Sequence, residues 1–103
     1  MQTLKGFQKK YLRGLAHKLQ PVVYIGQKGV TAAMIDSLED ALKTHELVKV
    51  KFVENKEKTA KAAICAELEK RTSAGLAGLI GHVAILFRSH PDPEKRKISL
   101  PER

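Results

Sequence analysis

The sequence predicts an α/β protein, built as a two-layer sandwich in which helices pack on a four-stranded mixed sheet. Helix-like and strand-like segments follow one another in the order α-β-α-β-α-β-β, and alternation of this kind is typical of mixed α/β folds. At 103 residues the chain has the size of one domain and can bury a core without disulfides. Its hydrophobic fraction of 43% is ordinary for a globular protein, so we expect no extensive disorder.

The first segment, Thr3 to Gln20, has the apolar periodicity of an amphipathic helix. Thr3 is a suitable N-cap, and Pro21 ends the helix because the residue before a proline disfavours helical backbone angles. Its apolar residues are expected to face the core as one stripe: Leu4, Phe7, Tyr11, Leu12, Leu15 and Leu19. Its basic residues and one histidine form the opposite face: Lys5, Lys9, Lys10, Arg13 and His17.

A short apolar strand, a glycine loop and a second helix come next. We expect Val22–Ile25 to be buried on both faces, and therefore to be a central strand. Tyr24 in this strand is either a core residue or a platform for base stacking. After the loop, Thr31 is a good N-cap for a helix over Ala32–Thr44.

The second strand, Leu47–Val53, alternates apolar and polar residues. Lys49 and Lys51 lie on its wetter face. The third helix is predicted over Thr59–Thr72, and its apolar side is Ala60, Ala63, Ile64 and Leu68.

A β-hairpin is predicted over the last apolar segments. Two β-like runs, Leu76–Ile80 and Val83–Phe87, flank a Gly81-His82 turn. The domain should therefore occupy residues 1–88. Residues 89–103 form an extended, basic, proline-containing tail in which Ile98 and Leu100 are able to dock back onto the domain.

The distribution of charge indicates a polyanionic partner. The net charge is +8, and the first 35 residues contain six Lys and Arg side chains but no acid before Asp36. Charge that only solvates a surface usually mixes both signs, so the asymmetry favours nucleic acid, with an anionic membrane surface as a weaker alternative.

The glycine loop is the candidate contact for phosphate. Gly26, Gln27, Lys28 and Gly29 form a Gly-x-x-Gly loop that feeds a helix N-terminus, where unpaired N–H groups and the positive end of the dipole favour anions. The logic resembles the Gly-x-x-Gly loop of KH domains. Glycine pairs also mark ordinary turns, which is the alternative interpretation.

The sequence shows no catalytic constellation, and we expect neither an enzyme nor a bound cofactor or metal. The four histidines are scattered, and Cys65 has no second cysteine with which to form a zinc site or a disulfide. No apolar run of about 18 residues indicates a membrane span, and the N-terminus lacks the apolar core of a signal peptide. A cytoplasmic monomer is therefore expected.

Four stretches together resemble a known family. They are Tyr11–His17, Pro21–Thr31, His45–Lys51 and the Ile80-Gly81 pair. In order and spacing they are similar to the CRM domain (chloroplast RNA splicing and ribosome maturation), above all to its bacterial stand-alone form, the YhbY family. The resemblance implies a fold similar to the C-terminal domain of translation initiation factor three.

The resemblance also implies RNA binding and a role in assembling the large ribosomal subunit, on precursors of its ribosomal RNA. The family's Gly-x-x-Gly loop falls on Gly26–Gly29, with Gln27 where relatives often carry a second basic residue. We expect this loop and the basic helix face to grip RNA phosphates, with Lys49 and Lys51 extending the surface and ribosomal proteins as further partners. The alternatives are a ribosome-associated protein-interaction module and a protein that binds double-stranded DNA.

Overall fold

The computed structural model describes residues Gln2 to Glu102, so Met1 and Arg103, at the ends of the predicted domain and tail, lie outside the described residues. The elements follow the predicted order: α1 Gly6–Ala16, β1 Pro21–Ile25, α2 Ala32–His45, β2 Leu47–Phe52, α3 Lys58–Thr72, β3 Gly75–Ile80 and β4 Val83–Phe87. A 3₁₀ turn at Pro93–Lys95 lies in the tail. The predicted α/β class and element order are confirmed.

The four strands form one mixed sheet in the order β1-β2-β4-β3. β1 runs parallel to β2, and the other two pairs are antiparallel. The prediction that β1 is central and buried on both faces is wrong, because β4 takes the inner place beside β2 and leaves β1 at the edge. Val23 and Ile25 are buried, whereas Val22 and Tyr24 between them are exposed.

Helices cover both faces of the sheet, so the expected two-layer arrangement is corrected to three layers. On one face α2 and α3 pack against Val48, Val50 and Phe52 of β2. On the other face α1 packs against residues that include Ile85 and Phe87 of β4. The cause is visible in β4, where four consecutive residues are buried and both faces therefore need a cover. Each fully buried leucine- or phenylalanine-sized side chain contributes roughly 1.5–3 kcal/mol.

Helix α1 is shorter than predicted. Lys5, not Thr3, is its N-cap residue, and the Gln8 side-chain carbonyl accepts a hydrogen bond of 2.9 Å from the Lys5 N–H. The helix ends at Ala16, before Pro21 begins β1. Thr3 is exposed.

The face that α1 buries is also rotated from the predicted one. Leu12 and Ala16 are fully buried against the sheet. Four other large apolar side chains that were predicted to be core are 37–42% exposed and form what we term the α1 stripe, with three on the helix and one just after it: Phe7, Tyr11, Leu15 and Leu19. Leu12 and Ala16 are four residues apart and therefore lie on one face of the helix, which is the face that the sheet covers.

Helix α2 begins as predicted. The Thr31 hydroxyl accepts a hydrogen bond of 3.2 Å from the Met34 N–H, which confirms the N-cap. Ile35, Leu38 and Leu42 are buried in the core. The cap is important for the site because it fixes where the glycine loop ends and the helix starts.

Helix α3 buries a narrower face than its alanine content indicates. Cys65, Leu68 and Thr72 are buried, Ile64 is half-buried, and Ala63, predicted to face the core, is exposed. Burial raises the pKa of the Cys65 thiol from 9.0 to about 11; the Glu69 carboxylate adds to the increase and Lys61 opposes it.

Cys65 is therefore expected to resist alkylation in the native protein. A pKa of about 11 instead of 9.0 lowers the thiolate fraction at pH 8 about 100-fold, and burial limits access further. Iodoacetamide labelling should be slow natively and fast in urea. The unfolded chain releases the thiol proton first, so this thiol's contribution to stability should decline as pH rises above about 9. Equal labelling rates in both states would contradict the burial.

The predicted hairpin between β3 and β4 is confirmed, with a Gly81-His82 turn in which Gly81 has φ +59. At the start of β3, a Cβ on Gly75 would come within 2.5 Å of the Gln2 carbonyl oxygen. The N-terminal segment lies against the start of β3 there, and the Gln2 N–H donates to the Ser73 carbonyl at 2.7 Å.

The tail is held by a buried carboxylate. Glu46 ends α2 with φ +63 and is 1% exposed. Its two carboxylate oxygens accept three backbone N–H groups of the tail, those of His90 and Lys97 at 2.7 Å and that of Ile98 at 3.0 Å. Ile98 and Leu100 pack against the α1 side of the core, as expected.

Candidate nucleic-acid interface

The glycine loop is a four-residue turn at the carboxyl end of β1. The Gly29 N–H donates to the Gly26 carbonyl at 3.0 Å and closes the turn, which leaves Gln27 and Lys28 exposed at its tip. Gly29 has φ +69, a backbone region that favours glycine. Gly26 has no such requirement, and a Cβ there would meet nothing within 4 Å.

The loop is tied to the connection between β2 and α3. The Asn55 side-chain amide donates to the Gly26 carbonyl at 2.9 Å. The N–H groups of Val53 and Glu54 both donate to the Ile25 carbonyl, at 3.0 and 3.2 Å. These bonds fix the base of the loop while its tip stays accessible, so the conformation of the loop is held from within the protein.

Further basic residues lie at the same end of the sheet. They come from the end of β2, the connection after it, the start of α3 and the β3–β4 turn. Phe52, the register partner of Ile25, donates its N–H to the His82 carbonyl at 2.7 Å, which places the β3–β4 turn near the loop. The Lys61 ammonium donates to the Gly81 carbonyl at 2.7 Å and lies 3.3 Å from His82 Nδ1. We call Lys28, Lys51, Lys56, Lys61 and His82 the loop-end cluster.

The proximity within this cluster affects the titration of His82. Desolvation and then the ammonium groups of Lys61, Lys56 and Lys51 lower the pKa of His82 from its ordinary value of 6.5. Three lysines therefore act on one imidazole, and their charges add at this end of the molecule. Glu54 and Glu57 in the same connection reduce the local excess without cancelling it.

A second group of cations lies beside the open part of the sheet. Arg13, His17 and Lys49 line a shallow cavity of about 230 Å³. Arg13 donates to the Ala77 carbonyl at 2.9 Å, and the Lys49 ammonium donates to the Leu19 carbonyl at 3.1 Å. Both side chains are thereby oriented over the sheet and keep further N–H donors for a ligand.

The predicted basic face of α1 is not one surface. Arg13 and His17 meet Lys49 over the sheet. Lys10 instead lies on the outer side, beside Phe7 and Tyr11 of the α1 stripe. Lys5 is exposed at the helix start, and Lys9 is half-buried. The rotation of the helix separates these residues, which sequence spacing alone had placed together.

Four contributors were missed by the sequence reasoning: Lys56, Lys61, His82 and the loop anchor Asn55. The charged connection and the Gly81-His82 turn were both recognised. Their position beside the glycine loop depends on the strand order, which only the folded chain reveals. The sequence feature that could have indicated them is the high density of lysines from Lys56 to Lys61.

Within the described part of the chain, His, Cys, Asp and Glu side chains form no group of three able to hold a metal ion. None of the helices described between Gln2 and Glu102 has the length and apolar character that crossing a bilayer requires.

The fold and the surface together define a class: a small three-layer α/β domain that presents a glycine loop and converging lysines at one end of a mixed sheet. The family model of the CRS1 / YhbY (CRM) domain matches residues 4–88. The chain belongs to this family, which confirms the resemblance found in the sequence.

Individual relatives agree with this assignment. An "RNA-binding protein" of Haemophilus influenzae is 40% identical over 103 residues, which cover all of both chains. The "Probable RNA-binding protein YqeI" of Bacillus subtilis is 35% identical over 98 residues, 95% of this chain and 99% of the relative. The solution structure of a Staphylococcus aureus protein, described as a candidate RNA-binding protein, superposes with a TM-score of 0.83 at 33% identity, covering 96% of this chain and 100% of the other.

Proposed function

We propose that this protein binds RNA and acts in the cytoplasm as an assembly factor on ribosomal RNA precursors of the large subunit. The observation that carries the proposal is the loop-end cluster, in which a preorganised glycine loop and three further lysines face solvent together. The relatives named as RNA-binding proteins support the ligand class. The ribosomal role rests on the family resemblance.

In the proposed mechanism the loop holds a phosphate. The exposed tip at Gln27 and Lys28 supplies backbone N–H groups and one ammonium, and the start of α2 adds the positive end of its dipole. Lys51 in β2, Lys56 in the connection after it and Lys61 in α3 extend the contact. Phosphate contacts position a protein but do not read sequence, so selectivity for one RNA comes from its shape or from neighbouring ribosomal proteins.

A salt titration tests the electrostatic part. If four to six phosphates are neutralised, affinity for single-stranded RNA should fall with a log–log slope of roughly −3 to −4. Fluorescence anisotropy with a labelled oligonucleotide measures the slope, and unlabelled duplex DNA serves as the competitor. A slope near zero, or equal competition by duplex DNA, would contradict RNA as the preferred ligand.

The ribosomal role is tested by crosslinking the protein to RNA in cells and sequencing the bound fragments. Precursors of large-subunit ribosomal RNA should be enriched over mature ribosomal RNA. Enrichment of messenger RNA alone would overturn the assembly role and leave RNA binding intact.

The α1 stripe favours one second candidate, a protein-interaction module on the ribosome. Four large exposed apolar side chains on and just after one helix are typical of a site for a protein partner. Ribonuclease treatment separates the two functions, because co-sedimentation with ribosomal particles through RNA should be lost and co-sedimentation through protein should persist.

A further inference from the structure

Part of one sheet face is left open by α1. The helix packs over Leu47, Ala77, Ile85 and Phe87, toward one end of the sheet. At the other end, beside the glycine loop, four residues in register cross all four strands on that same face and form what we call the open row: Tyr24, Lys51, Val83 and Ile80.

The open row exposes large apolar side chains that the fold does not use. Tyr24 is 55% exposed and Ile80 is 59% exposed, while Val83 is half-buried. Tyr24 therefore is not a core residue, which removes one of the two alternatives that the sequence left open. The exposed aromatic ring and Lys51 stand on adjacent strands, about 4.8 Å apart along the hydrogen-bonding direction.

The open row lies close to the glycine loop, and this proximity indicates which kind of ligand could contact both. Tyr24 precedes Gly26 by two residues, which is about 7 Å of extended strand. A ligand held at the loop by a phosphate would therefore extend its neighbouring groups over Tyr24 and Lys51. An aromatic face beside an ammonium suits an unpaired nucleotide, whose base stacks and whose phosphate is neutralised.

We propose that Tyr24 is a stacking platform for an unpaired base of the bound RNA, with Lys51 on the adjacent phosphate. The inference rests on the proposed RNA binding and narrows its substrate to RNA with a single-stranded segment at the loop. A regular duplex keeps its base faces stacked inside the helix and cannot use the ring.

The tyrosine itself reports the contact. The chain has no tryptophan and only two tyrosines, Tyr11 and Tyr24. In a Tyr11→Phe protein, Tyr24 is the single emitter. Twelve-nucleotide oligoadenylate should quench its fluorescence on binding, and an RNA duplex with the same number of phosphates should quench it far less at equal saturation.

Affinity measurements on matched variants provide the second readout. Tyr24→Leu keeps an apolar strand residue but removes the ring, and should weaken oligoadenylate binding about 5-fold or more. Tyr24→Phe should stay within about 2-fold of the parent, because stacking needs the ring and not the hydroxyl. Tyr11→Leu, which changes the other exposed tyrosine, on the α1 stripe, is the control and should leave affinity unchanged.

The outcomes separate this inference from the function on which it rests. Unchanged oligoadenylate affinity in Tyr24→Leu, or equal losses for single strand and duplex, would overturn stacking while RNA binding stands. Failure of the unmodified protein to bind either RNA at low salt would overturn the proposed function itself. Circular dichroism of each variant confirms that the fold is retained.

Discussion

Replacing both Gln27 and Lys28 by aspartate is expected to lower RNA affinity about 30-fold or more at physiological salt. The change removes the only charge at the loop tip and places two carboxylates where a phosphate should lie. Hydrogen bonds to charged groups contribute about 1.5–3 kcal/mol, and 2 kcal/mol corresponds to roughly 30-fold. Both side chains are exposed, so the midpoint of thermal unfolding should change little.

A control with the same change in net charge distinguishes a local contact from general electrostatics. Ala66→Glu with Lys70→Glu also lowers the charge by three, on an exposed side of α3. Lys70 lies twelve residues beyond the start of that helix, about 18 Å along its axis from the end near Lys56 and Lys61. If the loop variant loses no more affinity than this control, the loop is not the phosphate site.

The opposite change at the loop is also informative within the same experiment. Gln27→Lys adds a second basic residue at the loop tip, and should raise affinity and steepen the salt slope by about 0.7 on single-stranded RNA. An unaltered slope would place Gln27 outside the contact even if Lys28 is within it.

Replacing Glu46 by alanine should lower the free energy of unfolding by about 3 kcal/mol. It leaves the N–H groups of His90, Lys97 and Ile98 without their acceptor in a buried position. Each abandoned donor carries a desolvation cost of roughly 1–3 kcal/mol, of which water entering the loosened tail recovers part. For a domain of this size the thermal midpoint should fall by more than about 12 °C.

Urea unfolding measures this loss, and hydrogen exchange at the three tail amides locates it. Glu39→Ala is the matched control, because Glu39 forms a partly exposed ion pair with Arg88 at 2.9 Å and such pairs contribute at most about 1 kcal/mol. A loss in Glu46→Ala no larger than in Glu39→Ala would show that the tail is held by other contacts.

Local sequence signals predicted most of the fold. The Thr31 cap, the alternation of β2 and the Gly81-His82 hairpin depend on neighbours within a few residues, and all three are confirmed. The family resemblance added the class of protein. These features need no knowledge of how distant segments meet.

The errors concern faces and edges, which are decided by distant segments. The α1 sequence offers two apolar faces, and periodicity alone favours the one with Phe7 and Tyr11. The sheet instead buries Leu12 and Ala16, which pack against Ala77, Ile85 and Phe87 of β3 and β4. The edge position of β1 likewise depends on β4 pairing with β2, a contact between residues more than 30 apart in sequence.

The difference between local and distant contacts also explains why only part of the candidate site was predicted from the sequence. The loop itself was evident from two glycines and a cap. Asn55, Lys56 and Lys61 join it only because β1 and β2 are neighbours and the β3–β4 turn folds back to the same end. Short-range patterns therefore predicted the glycine loop, whereas the residues beside it depend on the strand order of the folded chain.

The two glycines of the loop differ in what they contribute. A substitution at Gly29 therefore tests the backbone conformation of the loop, whereas one at Gly26 tests the space next to the loop. Gly29 serves the backbone, since its φ of +69 would strain any other residue. No contact inside the protein requires a glycine at position 26, since a methyl group there would meet no atom within 4 Å. RNA affinity can therefore be measured for a series of side chains of increasing size at position 26. The size at which binding is lost gives the distance between the loop backbone and a ligand bound there.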